Sequence, residues 1–173
     1  MQRKKWLAAT VTVALGAGVS ASVVLATPST GQTTTTLATA PLAPFHMRSR
    51  YTPSPPTSPP ALWSALLKTE GVTDGYVVEN TFTPGGTTGW HTHPGPSLVF
   101  VVSGTITNYR DAHGICSAVN YPAGTAFTDA GGNDIHMLKN NTDASAETIA
   151  VQLIPHGQTR RIDEPQPGDC GAS

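Results

Sequence analysis

The run from Gly85 to Gly104, GGTTGWHTHPGPSLVFVVSG, carries two signals at once. His91 and His93 stand two residues apart. On a strand, positions i and i+2 point to the same face, so the pair offers two imidazoles to one side of a sheet. After the PGP interruption, SLVFVVSG (97–104) is a continuous apolar run ended by glycine, which predicts a strand buried on both faces. TITNYRD (105–111) alternates, and the two runs predict a hairpin across Ser103 and Gly104.

The same period of two continues on either side. GYVVENTF (75–82) alternates and predicts a strand, followed by a turn at PGG (84–86). NYPAG (120–124) reads as a turn, TAFTD (125–129) as a short strand and AGGN (130–133) as another turn. DIHMLKN (134–140) and ETIAVQLIP (147–155) predict two more strands. ALWSALLKTEG (61–71) reads either as one short helix or as an irregular lead-in. No stretch after residue 75 has helical periodicity. About seven or eight short strands in roughly 100 residues predict an all-β sandwich or barrel.

The chain has 173 residues and only 12% charged residues, against about 25% in ordinary globular proteins. The charge is sorted by sign. All 11 acids lie at or after Glu70, with only Arg110, Lys139, Arg160 and Arg161 to balance them there. A nucleic-acid binder needs a basic patch for phosphates, and this half has none.

Arg3-Lys4-Lys5 precedes an uncharged apolar run over 6–26, the layout of a secretory signal over residues 1–26 with cleavage after Ala26. An uncleaved membrane anchor is the competing reading; the many Ala, Gly, Ser and Thr residues lower the hydrophobicity and favour cleavage. Thr, Pro and Ser fill 21 of the 34 positions from 27 to 60, which predicts a disordered, extended spacer. The globular domain is then expected over 61–173. In an exported, secreted or surface-displayed protein, the even count of cysteines predicts a disulfide between Cys116 and Cys170, tying the charged tail RRIDEPQPGDC to the body.

Of the six histidines, His136 lies mid-strand between Ile135 and Met137, which face the opposite side of the sheet from it. His46, His113 and His156 read as solvated. The spacing around the HxH pair then adds a resemblance. Gly85, five residues, His91-Thr92-His93, three residues, Ser97, six residues, Gly104 is similar to the first signature of the cupin superfamily. Pro122-Ala123-Gly124 and His136-Met137-Leu138-Lys139-Asn140 resemble parts of the second, although His136 follows Gly124 by twelve residues rather than three. With its signal, spacer, two cysteines and IDEPQPGDC tail, the chain resembles small exported actinobacterial cupins of unassigned function.

The resemblance implies a double-stranded jelly-roll barrel whose mouth holds one divalent transition metal through His91, His93 and His136. Zinc, iron, copper, nickel and manganese all suit three imidazoles with open positions. The glutamate of the signature is Ser97 here, a poor ligand that marks a degenerate fourth position. Asp129 and Asp134, around the GG turn, read as turn residues before any support of the site. Glu79 reads as a surface carboxylate, and Trp90 and Phe100 as core before pocket lining. Beside a structural reading, a disulfide-stapled barrel with a degenerate site displayed on the spacer, two functions stay open: a metal-dependent, oxygenase-type enzyme acting on a small molecule, and a non-catalytic extracellular module binding a small molecule or metal. No catalytic residue follows from either. No nucleic-acid partner is expected, a membrane only through an uncleaved signal, and a homodimer is compatible with the family.

Overall fold

The protein is described by a computed structural model over residues 25–53, 63–111, 114–168 and 170. The export signal expected over 1–26 falls almost wholly outside these residues, as do 54–62 and His113. Among the described residues twelve strands follow in order: β1 (Thr30–Leu42), β2 (His46–Tyr51), β3 (Trp63–Lys68), β4 (Thr73–Thr87), β5 (His91–Thr92), β6 (Ser97–Ser103), β7 (Thr105–Asp111), β8 (Cys116–Pro122), β9 (Ala126–Asp129), β10 (His136–Lys139), β11 (Ala146–Pro155) and β12 (Ile162–Asp163).

The strands form an all-β, antiparallel jelly-roll barrel. One wall runs β1-β4-β11-β6-β9, and the facing wall runs β12-β5-β10-β7-β8. They join where Lys139 of β10 meets Thr87 of β4. Between them lies the core of Val78, Phe82, Val99, Val101, Ile106, Phe127, Leu138, Ala146 and Ala150. Its members come from alternate positions of each strand, as a half-buried sheet requires.

The alternation also sorts the barrel interior along its axis. The inward side of β6 reads Ser97, Val99, Val101, that of β9 reads Phe127, Asp129, and that of β11 reads Ala146, Thr148, Ala150, Gln152, Ile154. Antiparallel register sets Gln152 against Ser97 and Ser97 against Asp129. Three polar side chains therefore form one row across three strands of this wall.

Several sequence expectations are corrected. SLVFVVSG is not buried on both faces: Leu98, Phe100 and Val102 are about half exposed, and Phe100, at 47%, is neither core nor pocket. Nor does it pair with TITNYRD. Gly104, at φ +68° and packed against the backbone of Ser145, carries the chain from one wall to the other, so β6 pairs with β11 and β9 while β7 pairs with β10 and β8. Trp63–Lys68 of ALWSALLKTEG is neither helix nor irregular, because β3 pairs with β2 along six residues; 69–71 are an irregular link to β4. The PGG turn lies inside β4, whose register with β1 shifts beside it between Thr30 and Gln32.

The largest correction concerns the Thr-rich segment. Of the disordered spacer expected over 27–60, residues 30–42 form β1, a thirteen-residue strand along the whole edge of β4, and His46–Tyr51 form β2. The barrel accordingly begins well before residue 61. A composition argument counts only the apolar surface a segment can bury. An edge strand is held instead by main-chain hydrogen bonds, for which β-branched threonine is well suited. Thr34 Oγ1 and Gln32 Nε2 also donate to Asn80 Oδ1, at 2.7 and 2.9 Å, from the barrel's inner row.

Candidate metal centre

Two of the histidines are strand partners. His136 on β10 pairs with His91 on β5, and β12 flanks β5 on its other side through Asp163 and Ile162. His93 follows β5 at the start of the HPGP loop. All three are buried, and their ring centroids lie 4.3 to 5.5 Å apart. One ligand atom from each falls within 4.8 Å of the others.

Backbone carbonyls determine what these rings can do. His91 Nδ1 lies 2.9 Å from Gly89 O, His93 Nδ1 2.7 Å from Arg160 O, and His136 Nδ1 3.1 Å from Asp134 O. A carbonyl only accepts, so each Nδ1 donates. In a neutral imidazole the proton is then on Nδ1 and the lone pair on Nε2. Burial favours that neutral state: it pushes His91 well below the ordinary histidine value, with help from His136, Arg161 and His93. Burial lowers His93 too, against the opposing pull of the Arg160 carbonyl and Asp129. Each of the three rings thus has its Nδ1 held by a carbonyl, the arrangement that ligating histidines adopt.

The segment after β11 helps to build this site, a contribution with no motif in the sequence. Arg160 supplies the carbonyl for His93. Arg161 Nη2 donates to Thr88 O at 2.6 Å, and Glu164 N–H donates to Trp90 O at 2.9 Å. Thr27 locks the same corner, donating its N–H to Glu164 O while its Oγ1 accepts from Trp90 N–H at 2.6 Å. The Cys116–Cys170 disulfide, with Cα atoms 5.1 Å apart, ties this segment back to β8.

The cavity at the histidines has a volume of about 170 Å³. Besides the imidazoles its wall includes Ser97, Asp129, Gln152, Arg160 and Arg161, with Val99 and Leu138 beneath. Gln152 Nε2 donates to Ser97 Oγ at 3.0 Å, and Arg160 Nη1 donates to Gln152 Oε1 at 2.8 Å. Ser97 at the glutamate position is thus a member of a hydrogen-bonded chain ending in a guanidinium. Inward parity on β11 was the only sequence signal for Gln152, and none marked the two arginines.

Asp129 is the residue the sequence reading placed least well. It is a turn residue, since its Oδ1 accepts from Gly131 N–H at 2.8 Å. It is also among the most buried side chains, at 1% exposure, and its Oδ2 lies 3.7 Å from His93 Nε2 and 3.9 Å from His136 Nε2. Asp134 instead turns its carboxylate to Arg110, 3.3 Å away, and only its carbonyl serves His136. Glu79 points outward, Trp90 is buried outside the cavity wall, His46 is exposed, and His156 pairs with Asp74 at 2.9 Å on the surface.

A buried histidine triad thus lies at one end of an antiparallel jelly-roll barrel. Among solved structures the chain is similar to an oxalate oxidase, with 18% identity, a TM-score of 0.42 and coverage of 47% of this chain and 46% of that one. It is similar to a cupin superfamily protein from Desulfitobacterium hafniense (13% identity, TM-score 0.41, 52% and 73% covered). It is also similar to a variant of Bacillus subtilis oxalate decarboxylase (13%, 0.46, 56% and 29%). The chain thus spans less than half the length of the oxalate oxidase it matches. No family model and no curated protein matches it.

Proposed function

We propose that this protein is an exported cupin that holds one divalent transition metal through His91, His93 and His136 and presents it to a small molecule in the barrel mouth. The observation that carries this reading is the convergence of three buried imidazoles, one ligand atom of each within 4.8 Å of the others, while a carbonyl holds Nδ1 of every ring. Three imidazoles with open positions suit zinc and the neighbouring first-row metals. Such an ion supplies a Lewis acid or, for a redox-active metal, an electron-transfer centre.

The chain's own residues supply the rest. Arg160 and Arg161 give the wall positive charge, which favours an oxygen-rich or anionic ligand. Gln152 and Ser97 orient the Arg160 guanidinium by hydrogen bonds. The cavity volume limits the ligand to a few heavy atoms beside the metal and its solvent. The disulfide supports an oxidising compartment, in keeping with export.

Metal analysis of protein purified without chelator or affinity tag tests the reading. About one transition metal per chain is expected, and His91→Ala and His136→Ala should each lose it. Unchanged metal content in both variants would refute it. Oxygen uptake across small phenols, diketones and thiols then separates an oxygenase from a binding module, which would leave uptake at the background rate.

A further inference from the structure

We propose that Asp129 is the fourth protein ligand of this centre: the carboxylate missing at Ser97 is supplied by the strand beside it. The inference rests on the metal reading above and adds to it a charged ligand outside the histidine pattern.

Three observations lead there. Ser97 and Asp129 are direct cross-strand partners on the inward side of β6 and β9. A carboxylate at either position therefore points into the same end of the barrel. Second, Asp129 Oδ1 is held by Gly131 N–H, which leaves Oδ2 aimed inward, buried and without any hydrogen-bond partner. An unsatisfied buried carboxylate oxygen is costly and needs a compensating positive group. Third, what faces it makes no hydrogen bond to it. The Nε2 atoms of His93 and His136 stand 3.7 and 3.9 Å away, while the Nδ1 atoms of the same rings are turned to carbonyls. Asp129 Oδ2 and the two Nε2 atoms face a common space beside the third histidine, and among the described residues no hydrogen bond reaches Oδ2 there. A cation in that space satisfies the carboxylate oxygen and the imidazoles together.

With metal–ligand bonds of about 2.1 Å, two donors bound to one ion lie at most about 4.2 Å apart. Both separations from Oδ2 fall below that limit. The histidine ligand atoms, within 4.8 Å of one another, would draw together slightly around the ion. The same donor set explains why Ser97 is tolerated at the glutamate position: its hydroxyl belongs to the Gln152–Arg160 chain, and the negative charge has moved one strand over. A three-nitrogen, one-oxygen centre leaves room for solvent or a small ligand, and the carboxylate cancels one of the two charges of the ion.

The test is metal affinity measured with Zn²⁺ and Co²⁺ alone, by chelator competition, on the whole chain. Asp129→Asn keeps the size and the Gly131 contact and should weaken binding about 100-fold or more. It should leave the metal-free protein as stable as wild type or more so, because the uncompensated charge is gone. Adding Ser97→Glu to Asp129→Asn returns a carboxylate to the neighbouring strand and should recover most of the affinity. Binding within about threefold of wild type in Asp129→Asn, with His91→Ala devoid of metal, overturns the proposal and leaves the histidine reading standing. Absence of metal from the wild type overturns both. In wild-type protein, infrared difference spectra should show one carboxylate stretch shifting on Zn²⁺ addition; no shift overturns the assignment independently of any variant's folding.

Discussion

Gly95 and Gly131 meet backbone to backbone. A Cβ on Gly131 would stand 2.4 Å from Gly95 O, and Gly131 adopts φ +72°. Beside this contact, Gly132 N–H donates to His93 O at 2.7 Å. The loop that carries His93 and the turn that carries Asp129 are thereby clamped together. Gly131→Ala meets both a left-handed backbone and a backbone clash, and should cost about 1–3 kcal/mol of stability. Chemical denaturation measures it. Gly132→Ala adds only backbone strain, since nothing lies near its Cβ, and should cost less.

Metal-free protein should lose stability as the pH falls below the ordinary histidine value of 6.5. Burial depresses the pKa of His91 and His93, so in that range the unfolded chain takes up protons that the fold refuses. Stability is full above 6.5 and declines progressively below it. Metal affinity should fall in the same window, because the imidazoles must be neutral to bind. Denaturant midpoints at pH 7.5 and 5.5, with and without Zn²⁺, check both.

Replacing both Cys116 and Cys170 by serine should lower stability by about 4 kcal/mol, the loop-closure entropy for residues 54 apart. The loss should be largest around the site, because the segment that the disulfide tethers pairs β12 with β5 and gives His93 its carbonyl partner. Hydrogen exchange of the 160–164 amides should therefore quicken more than that of the β4–β11 ladder.

A chain lacking residues 1–42 keeps the β4–β11 pairing but exposes the free edge of β4, fifteen residues long. Long uncovered edges recruit other chains. Size-exclusion chromatography should show larger species for the truncated chain than for the full one.

The histidine centre was legible because its information is local. His91 and His93 share a face by strand parity alone, and the offsets of Gly85, Ser97 and Gly104 set the same frame. His136 followed from its place between outward neighbours, and Cys116 with Cys170 from an even count. The pairing of strands was less legible. Gly104 looked like a hairpin glycine, and only its packing against Ser145 sends β7 to the opposite wall. The Thr-rich run looked too polar to fold, yet a strand at a sheet edge needs a partner's backbone more than an apolar face.

What the amino-acid sequence determined by itself was the alternation that makes a barrel, the three imidazoles that point into it and the absence of a carboxylate at position 97. Only the tertiary structure decided where that carboxylate reappears. Asp129 lies 32 residues from Ser97 and looks like any aspartate before a glycine turn. Its approach to His93 and His136 depends on the register between β6 and β9 and on two glycines that let the loops touch. Register is a property of two strands paired in space, and no spacing along one chain encodes it.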